Sequence, residues 1–157
     1  MTKKKDEDEI VIRDMSIDDL PKVFHIGEEL FTSKRFPLMY RTWDPFEITS
    51  LFTGDAEFCV VAEKSGRVIG FAMATFIEKS RSAWKYGYVA WLGVKKRYHR
   101  HRVGVRLYRE IEKRLREDGA RMIIVDTEQG NVEAINFFKK MGFDATREHI
   151  WMTKTLK

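Results

Sequence analysis

The 157-residue chain is short of cysteine, of long apolar runs and of repeats. Its one cysteine, Cys59, excludes an internal disulfide and a cysteine-rich zinc site, and no metal is expected. A single thiol fits a reducing, cytoplasmic setting. Within "FCVVA" it reads as a buried, inert side chain. No stretch approaches the roughly 20 apolar residues that a membrane span needs, so no membrane partner is expected. The opening "MTKKKDEDE" has no apolar segment behind it, so it does not read as a secretory signal. Residues 1–8 read as a frayed tail of mixed charge. No linker or low-complexity segment interrupts the rest, and one domain over 1–157 is expected.

What is present is 43% hydrophobic and 34% charged, the balance of a globular chain with a busy surface. The net charge of +5 favours an anionic ligand. By itself it leaves nucleic acid, a membrane surface and a phosphorylated cofactor open.

Hydrophobic periodicity gives an order of elements. "EIVIRDM" alternates as a strand. Ser16 and Asp19 then form a capping box before a helix whose stripe is Leu20, Val23, Phe24, Gly27, Leu30 and Phe31. Asp44 and Pro45 open a second, short helix. Three strands follow, "EFCVVAEK", "RVIGFAMATFIE" and "YGYVAWLGV", the first two joined by a tight turn at Ser65-Gly66. A long helix runs from about Arg102 to Asp118 with Leu107, Tyr108, Ile111 and Leu115 on its apolar face. "RMIIVDTE" is nearly all apolar, which predicts a strand buried on both faces. A helix with the stripe Ala134, Phe137, Phe138 and Met141 follows, and "HIWMTKTL" predicts a closing strand. Antiparallel strands followed by a strand–helix–strand crossover imply an α/β (α+β) fold, with a mixed, mostly antiparallel twisted sheet and helices on both faces.

Positive charge collects where the third of those strands gives way to the long helix. Lys95, Lys96, Arg97, Arg100 and Arg102 surround Tyr98, His99 and His101. A strand, a loop and a helix start make an anion site, because the first helical amides are unpaired and the macrodipole is positive there. Gly104 lets a pyrophosphate approach the backbone. The plain alternative is a solvated basic loop.

"V-K-K-R-Y-H-R-H-R-V-G" (Val94 to Gly104) resembles the coenzyme A signature of the GNAT superfamily of N-acetyltransferases, in outline Val-x-Pro-x-Tyr-Arg-Gly-x-Gly-Ile-Gly. "N-V-E-A-I-N-F-F-K-K-M-G-F" (Asn131 to Phe143) resembles the family's Asn-x-x-Ala-x-x-Phe-Tyr-x-x-x-Gly-Phe, and "RVIGFAMA" its Val-hydrophobic-Gly-Phe strand. The element order matches over nearly the whole chain, which implies a GNAT-like fold. The chain departs from the signature at Lys96, which replaces the proline, and in its core Gln/Arg-x-x-Gly-x-Gly/Ala at His99, which replaces Gln/Arg, and at Arg102, which replaces that core's first glycine. None of these removes a backbone donor. The resemblance implies acetyl-CoA as co-substrate. Leu92, Gly93 and Val94 would pair with its acetyl and pantetheine groups. His99, Arg100, His101, Arg102, Val103, Gly104 and Val105 would hold the pyrophosphate. Asn131 would touch the pantetheine arm, besides capping its own helix. Phe138 would lie near the sulfur.

The implied function is transfer of the acetyl group to a primary amine of a small molecule, peptide or protein by direct attack. That step needs a neutral amine, a donor for the oxyanion such as a strand N–H at Leu92, and a proton for the leaving thiolate. Two side chains usual in the family are missing. Ala90 stands where many members carry a basic Glu, and Phe138 where many carry an acidic Tyr. Tyr86 and Tyr88 share a strand face with Ala90 and are candidate proton donors. Glu128, at the end of "RMIIVDTE", is the candidate base. His25, Glu28 and Glu29 on the first helix are further candidates. Phe36, Tyr40, Trp43, Trp84 and Tyr86 are expected to build the acceptor pocket. Two other readings remain: a nucleic-acid-binding module using residues 95–102, and a coenzyme A-binding protein without catalysis. The first lacks a recognition helix, which argues against nucleic acid as a partner. A homodimer is compatible with the chain; the sequence does not name the acceptor.

Overall fold

The computed structural model describes residues 9–31, 42–78, 81, 83–144 and 146–156. Among the described residues nine α-helices and strands succeed one another: β1 (Ile10–Asp14), α1 (Leu20–Leu30), α2 (Pro45–Gly54), β2 (Cys59–Lys64), β3 (Arg67–Ile77), β4 (Lys85–Val94), α3 (Val103–Glu117), β5 (Ala120–Ile124) and α4 (Val132–Lys140). The strands form one sheet in the order β1-β2-β3-β4-β5. The first three pairings are antiparallel, and β4 and β5 run parallel.

Local chemistry explains the boundaries. Asp44 caps α2 by accepting from the Glu47 amide at 2.9 Å. Ser65 (φ 50°) and Gly66 (φ 71°) both sit in the left-handed region, which is what a two-residue turn between right-twisted strands requires. Ahead of α1, Asp19 is 1% exposed. It accepts from the Ser16 amide and from Arg13, whose Nη1 lies 2.6 Å away. Arg13 also reaches Glu63, so one guanidinium ties β1, β2 and the start of α1 together. The Arg13 hydrogen bond holds the Asp19 carboxyl down at about 2.

Helices cover both faces. On one, Val23, Ile26 and Leu30 of α1 and Ile48 of α2 pack with Trp43 against Val61, Phe71, Met73 and Trp91. On the other, Val103, Leu107, Ile111 and Leu115 of α3 pack against Val60, Ile69, Ala72, Val89 and Val94. Cys59 is fully buried, and burial pushes its thiol up to about 12, which leaves it the inert side chain expected.

Two expectations need correction at the C-terminal end. β5 is not buried on both faces, since Met122 is 47% exposed. Residues 146–156 form no strand: "HIWMTKTL" has the alternation but joins no ladder among the described residues, and its side chains are largely exposed. Alternation states only which faces a strand would have. Backbone pairing has to be supplied by a neighbouring edge, and β5 is left as the sheet's edge among the described residues.

Candidate active site

The site is a place where the sheet opens. β4 and β5 pair from Lys85–Ala120 to Tyr88–Ile124, and there the ladder stops. β4 runs on to Val94 beside β3 alone among the strands. Within that stretch Met73 pairs with Trp91 but Ala74 pairs with Val89, so Ala90 is one residue too many. This bulge shifts the alternation. Tyr88, Ala90 and Trp91 all face the α1–α2 side, whereas Leu92 and Val94 face α3.

The β4 end leads straight into the basic stretch, which coils as a 3-10 turn over Lys96–His101. Its members play different parts. His99 Nε2 meets the Val94 carbonyl at 2.7 Å, so that nitrogen carries a proton, and Nδ1 lies 3.4 Å from Glu133 of α4. His99 is therefore a strut between the end of β4 and the start of α4. His101 packs edge-on to Tyr98, and the Arg97 guanidinium lies 4.8 Å from the same ring. Arg100 and Arg102 point into solvent.

Arg102 has φ 57° and ψ 20°, the left-handed conformation, directly before Val103 opens α3. That is why the related signature prefers glycine there; a side chain costs about 1 kcal/mol. No side chain caps α3 at this end, so the first-turn amides of Val103, Gly104 and Val105 are presented without a competitor of that kind. At Gly104 a Cβ would meet Phe137 at 3.4 Å and Leu92 at 3.8 Å. Three elements thus converge on this backbone: β4 through Leu92, α3 through Gly104 and α4 through Phe137. A widening seam beside a strand, ending at a helix N-terminus with basic neighbours, fits a long ligand with a phosphate group at one end.

Asn131 caps α4 by accepting from the Ala134 amide at 3.3 Å, and its amide donates to the Thr127 hydroxyl at 3.0 Å. Phe138 is half-buried among Tyr108, Phe137 and Phe143, with ring centroids 5.1–6.3 Å apart. Glu128 follows β5, and its Oε1 is buried with no hydrogen-bond partner. Tyr86 packs against Trp84 at 6.5 Å. The Tyr88 hydroxyl donates to Asp126 Oδ1 at 2.6 Å, across the mouth of the seam.

The residues proposed from sequence do not all meet here. His25 and Glu28 pair with each other at 2.9 Å. Together with Glu29, His25 borders a cleft of about 280 Å³ beside the β2–β3 turn and Lys95, at the opposite end of β4 from Tyr86. Trp43 is core, not pocket lining. It is 8% exposed and its Nε1 donates to the Phe24 carbonyl at 2.9 Å. Phe36 and Tyr40 lie outside the described residues. Asp126 and Glu47, which accepts from Trp91 Nε1 at 2.8 Å, were missed. A signal for Asp126 existed: Ile123 and Val125 pack toward α3, so the alternate positions face Tyr88. Among the described residues no group of three or more His, Cys, Asp or Glu is arranged to hold a metal. No helix there is long and apolar enough to cross a membrane.

Comparison with curated protein sequences gives no match. Solved structures give many. An aminoglycoside acetyltransferase from an uncultured soil metagenomic sample is 19% identical, over 94% of this chain and 97% of that one, with a TM-score of 0.73. The enzyme AAC(6')-Iy, in complex with a bisubstrate analogue built on CoA, is 17% identical over 94% and 99%, TM-score 0.73. Ard1 from Thermoplasma volcanium is 27% identical over 88% and 84%, TM-score 0.72. A sequence model of the acetyltransferase (GNAT) family matches residues 20–143, most of the chain. With the opened seam between β4 and β5 and the uncapped start of α3, that match makes this chain a member of the GNAT acetyltransferase family.

Proposed function

We propose that the protein moves the acetyl group of acetyl-CoA to a primary amine by direct attack. The observation that carries this is the seam beyond Tyr88–Ile124 leading to the uncapped first turn of α3. Acetyl-CoA supplies the activated acyl group as a thioester. The protein's part is to bind, orient and manage protons. The amides of Val103, Gly104 and Val105, with Arg100, His101 and Arg102, hold the pyrophosphate, and His99 fixes the turn that carries them. The backbones of Leu92, Gly93 and Val94 lie alongside the pantetheine and acyl groups. Asn131 borders the pantetheine arm, and the Phe138 ring closes the sulfur end without offering a proton. The buried Glu128 Oε1 suits a bound N–H donor. Tyr86 and Tyr88 stand on the acceptor side of β4.

For the acceptor class, the aminoglycoside acetyltransferases similar in fold support a small-molecule amine. The test pairs calorimetry with thiol release. Gly104→Glu places bulk and negative charge against the pyrophosphate position. It should weaken acetyl-CoA binding at least tenfold, about 1.4 kcal/mol, with the fold intact. Wild type should release free thiol with at least one member of an amine panel of aminoglycosides, amino sugars, polyamines and peptides. Unchanged affinity in Gly104→Glu would sink the cradle. Salt-sensitive binding to RNA or DNA without acetyl-CoA binding would favour a nucleic-acid module instead.

A further inference from the structure

An amine is protonated at neutral pH, so the reaction needs a group that takes its proton. Ala90, on the bulge, offers none. Among the described residues Glu47, Asp126, Glu128 and Glu133 stand near the opening, and Glu133 is engaged by His99. Glu47 is engaged by the Trp91 indole. Glu128 has one oxygen buried without any donor, and its carbonyl accepts the Asn131 amide, on the side of the seam where α4 begins. Asp126 differs from both. It is exposed, so it exchanges protons with water. It lies two residues past the last rung of the β4–β5 ladder, where the seam starts. A tyrosine from the facing strand holds it at 2.6 Å. Tyr88 packs with Ala90 and Trp91 on the α1–α2 side, and Asp126 reaches to that side across the opening.

We propose that Asp126 is the proton acceptor for the attacking amine and that Tyr88 is the residue that positions it. This rests on the acetyl-transfer reading above. Asp126 takes one proton from the acceptor's ammonium, directly or through a water. The freed lone pair forms the C–N bond to the acetyl carbon while the C–S bond breaks. The remaining surplus proton on that nitrogen passes to the departing thiolate, and Asp126 returns its own to solvent. Amide, free thiol and one released proton balance ammonium and thioester. Tyr88 donates to the carboxylate, which fixes its direction. Its hydroxyl is thus committed to Asp126 and is not the acid for the thiolate.

The test uses the full chain with an amine that the wild type turns over, at saturating acetyl-CoA, across a pH series. Asp126→Asn should lower kcat at least 100-fold and abolish the acidic limb of the profile, with acetyl-CoA affinity within twofold of wild type. Asp126→Glu should restore the limb at reduced rate, which a merely structural role would not do. Tyr88→Phe should lower kcat severalfold with the KM for the amine and the acetyl-CoA affinity within twofold of wild type, the mark of a positioning residue. A limb that survives Asp126→Asn, or vanishes only in Glu128→Gln, overturns the proposal. So does a kcat indifferent to Tyr88→Phe. A wild type that binds acetyl-CoA yet acetylates no amine removes the acetyl-transfer reading itself, and this proposal with it.

Discussion

Among the described residues, every buried apolar side chain lies between Met15 and Leu115; beyond Leu115 neither α4 nor the segment to Leu156 buries one. The first region closes on itself. α1 and α2 cover one face of β1–β4 and α3 covers the other. In the second region β5 leaves its neighbour after Ile124, and α4 touches the rest through half-buried aromatics such as Phe137 and Phe138. The division assigns labour. A well-packed half holds strand β4 and the start of α3 in place, and a loosely packed half supplies the wall of the seam. Elements at functional openings are commonly drawn from the low-stability end of a fold.

The comparison breaks most visibly at Gly27. A Cβ there would lie 1.9 Å from the Trp43 ring. Gly27→Ala should expel the indole from the cluster with Phe24, Phe31, Phe71 and Trp91. The expected loss is on the order of 3–5 kcal/mol, the range for removing a large buried aromatic. It outweighs the roughly 1 kcal/mol that Ala gains over Gly within a helix. Denaturant melts would read it; a loss under about 1 kcal/mol would show that this half repacks freely.

Next in size is Asp19→Asn, which leaves Glu63 as the one carboxylate on Arg13, beside the Asp14 carbonyl. The expected cost is about 3 kcal/mol at neutral pH, the low end for breaking a buried ion pair from one side. The pH dependence has a definite sign. The folded carboxyl titrates at about 2 against an ordinary 3.8. Its stabilisation is therefore present above 3.8 and disappears as pH falls through 2. Wild type should lose its advantage over Asp19→Asn across that window in acid-melt series.

The smallest effect belongs to the open half. Phe138→Ala should cost about 1–2 kcal/mol, well below the figure for a fully buried Phe. An equal or larger loss than for Gly27→Ala would erase the contrast between the halves.

How much the sequence foretold follows the same line. Caps, hairpin turn and apolar stripes are local signals, and Asp44, Ser65-Gly66 and the α3 face all behave as expected. The mostly antiparallel sheet with one crossover followed from element order. Four features were at most partly legible, three of them because they depend on contacts distant in sequence. The extra residue at Ala90 is defined only against β3. The left-handed Arg102 shows only as a departure from a glycine-bearing signature. Tyr88 and Asp126 stand 38 residues apart. Trp43 is an aromatic in an irregular stretch and reads as pocket lining, until the groove at Gly27 is known to receive it. The closing strand failed for a related reason, because alternation in "HIWMTKTL" carries no information about the edge that would pair with it.

The Trp43 seat has a consequence for how such a chain changes over generations. The indole occupies the volume that a side chain at position 27 would need. The two positions therefore form one heritable unit. A lineage that trades Trp43 for something small is freed to place Ala at 27 and gain helix stability. A lineage that keeps the indole is held to glycine. Change at either site is coupled to change at the other, since a smaller residue at 43 clears the space that a side chain at 27 would fill.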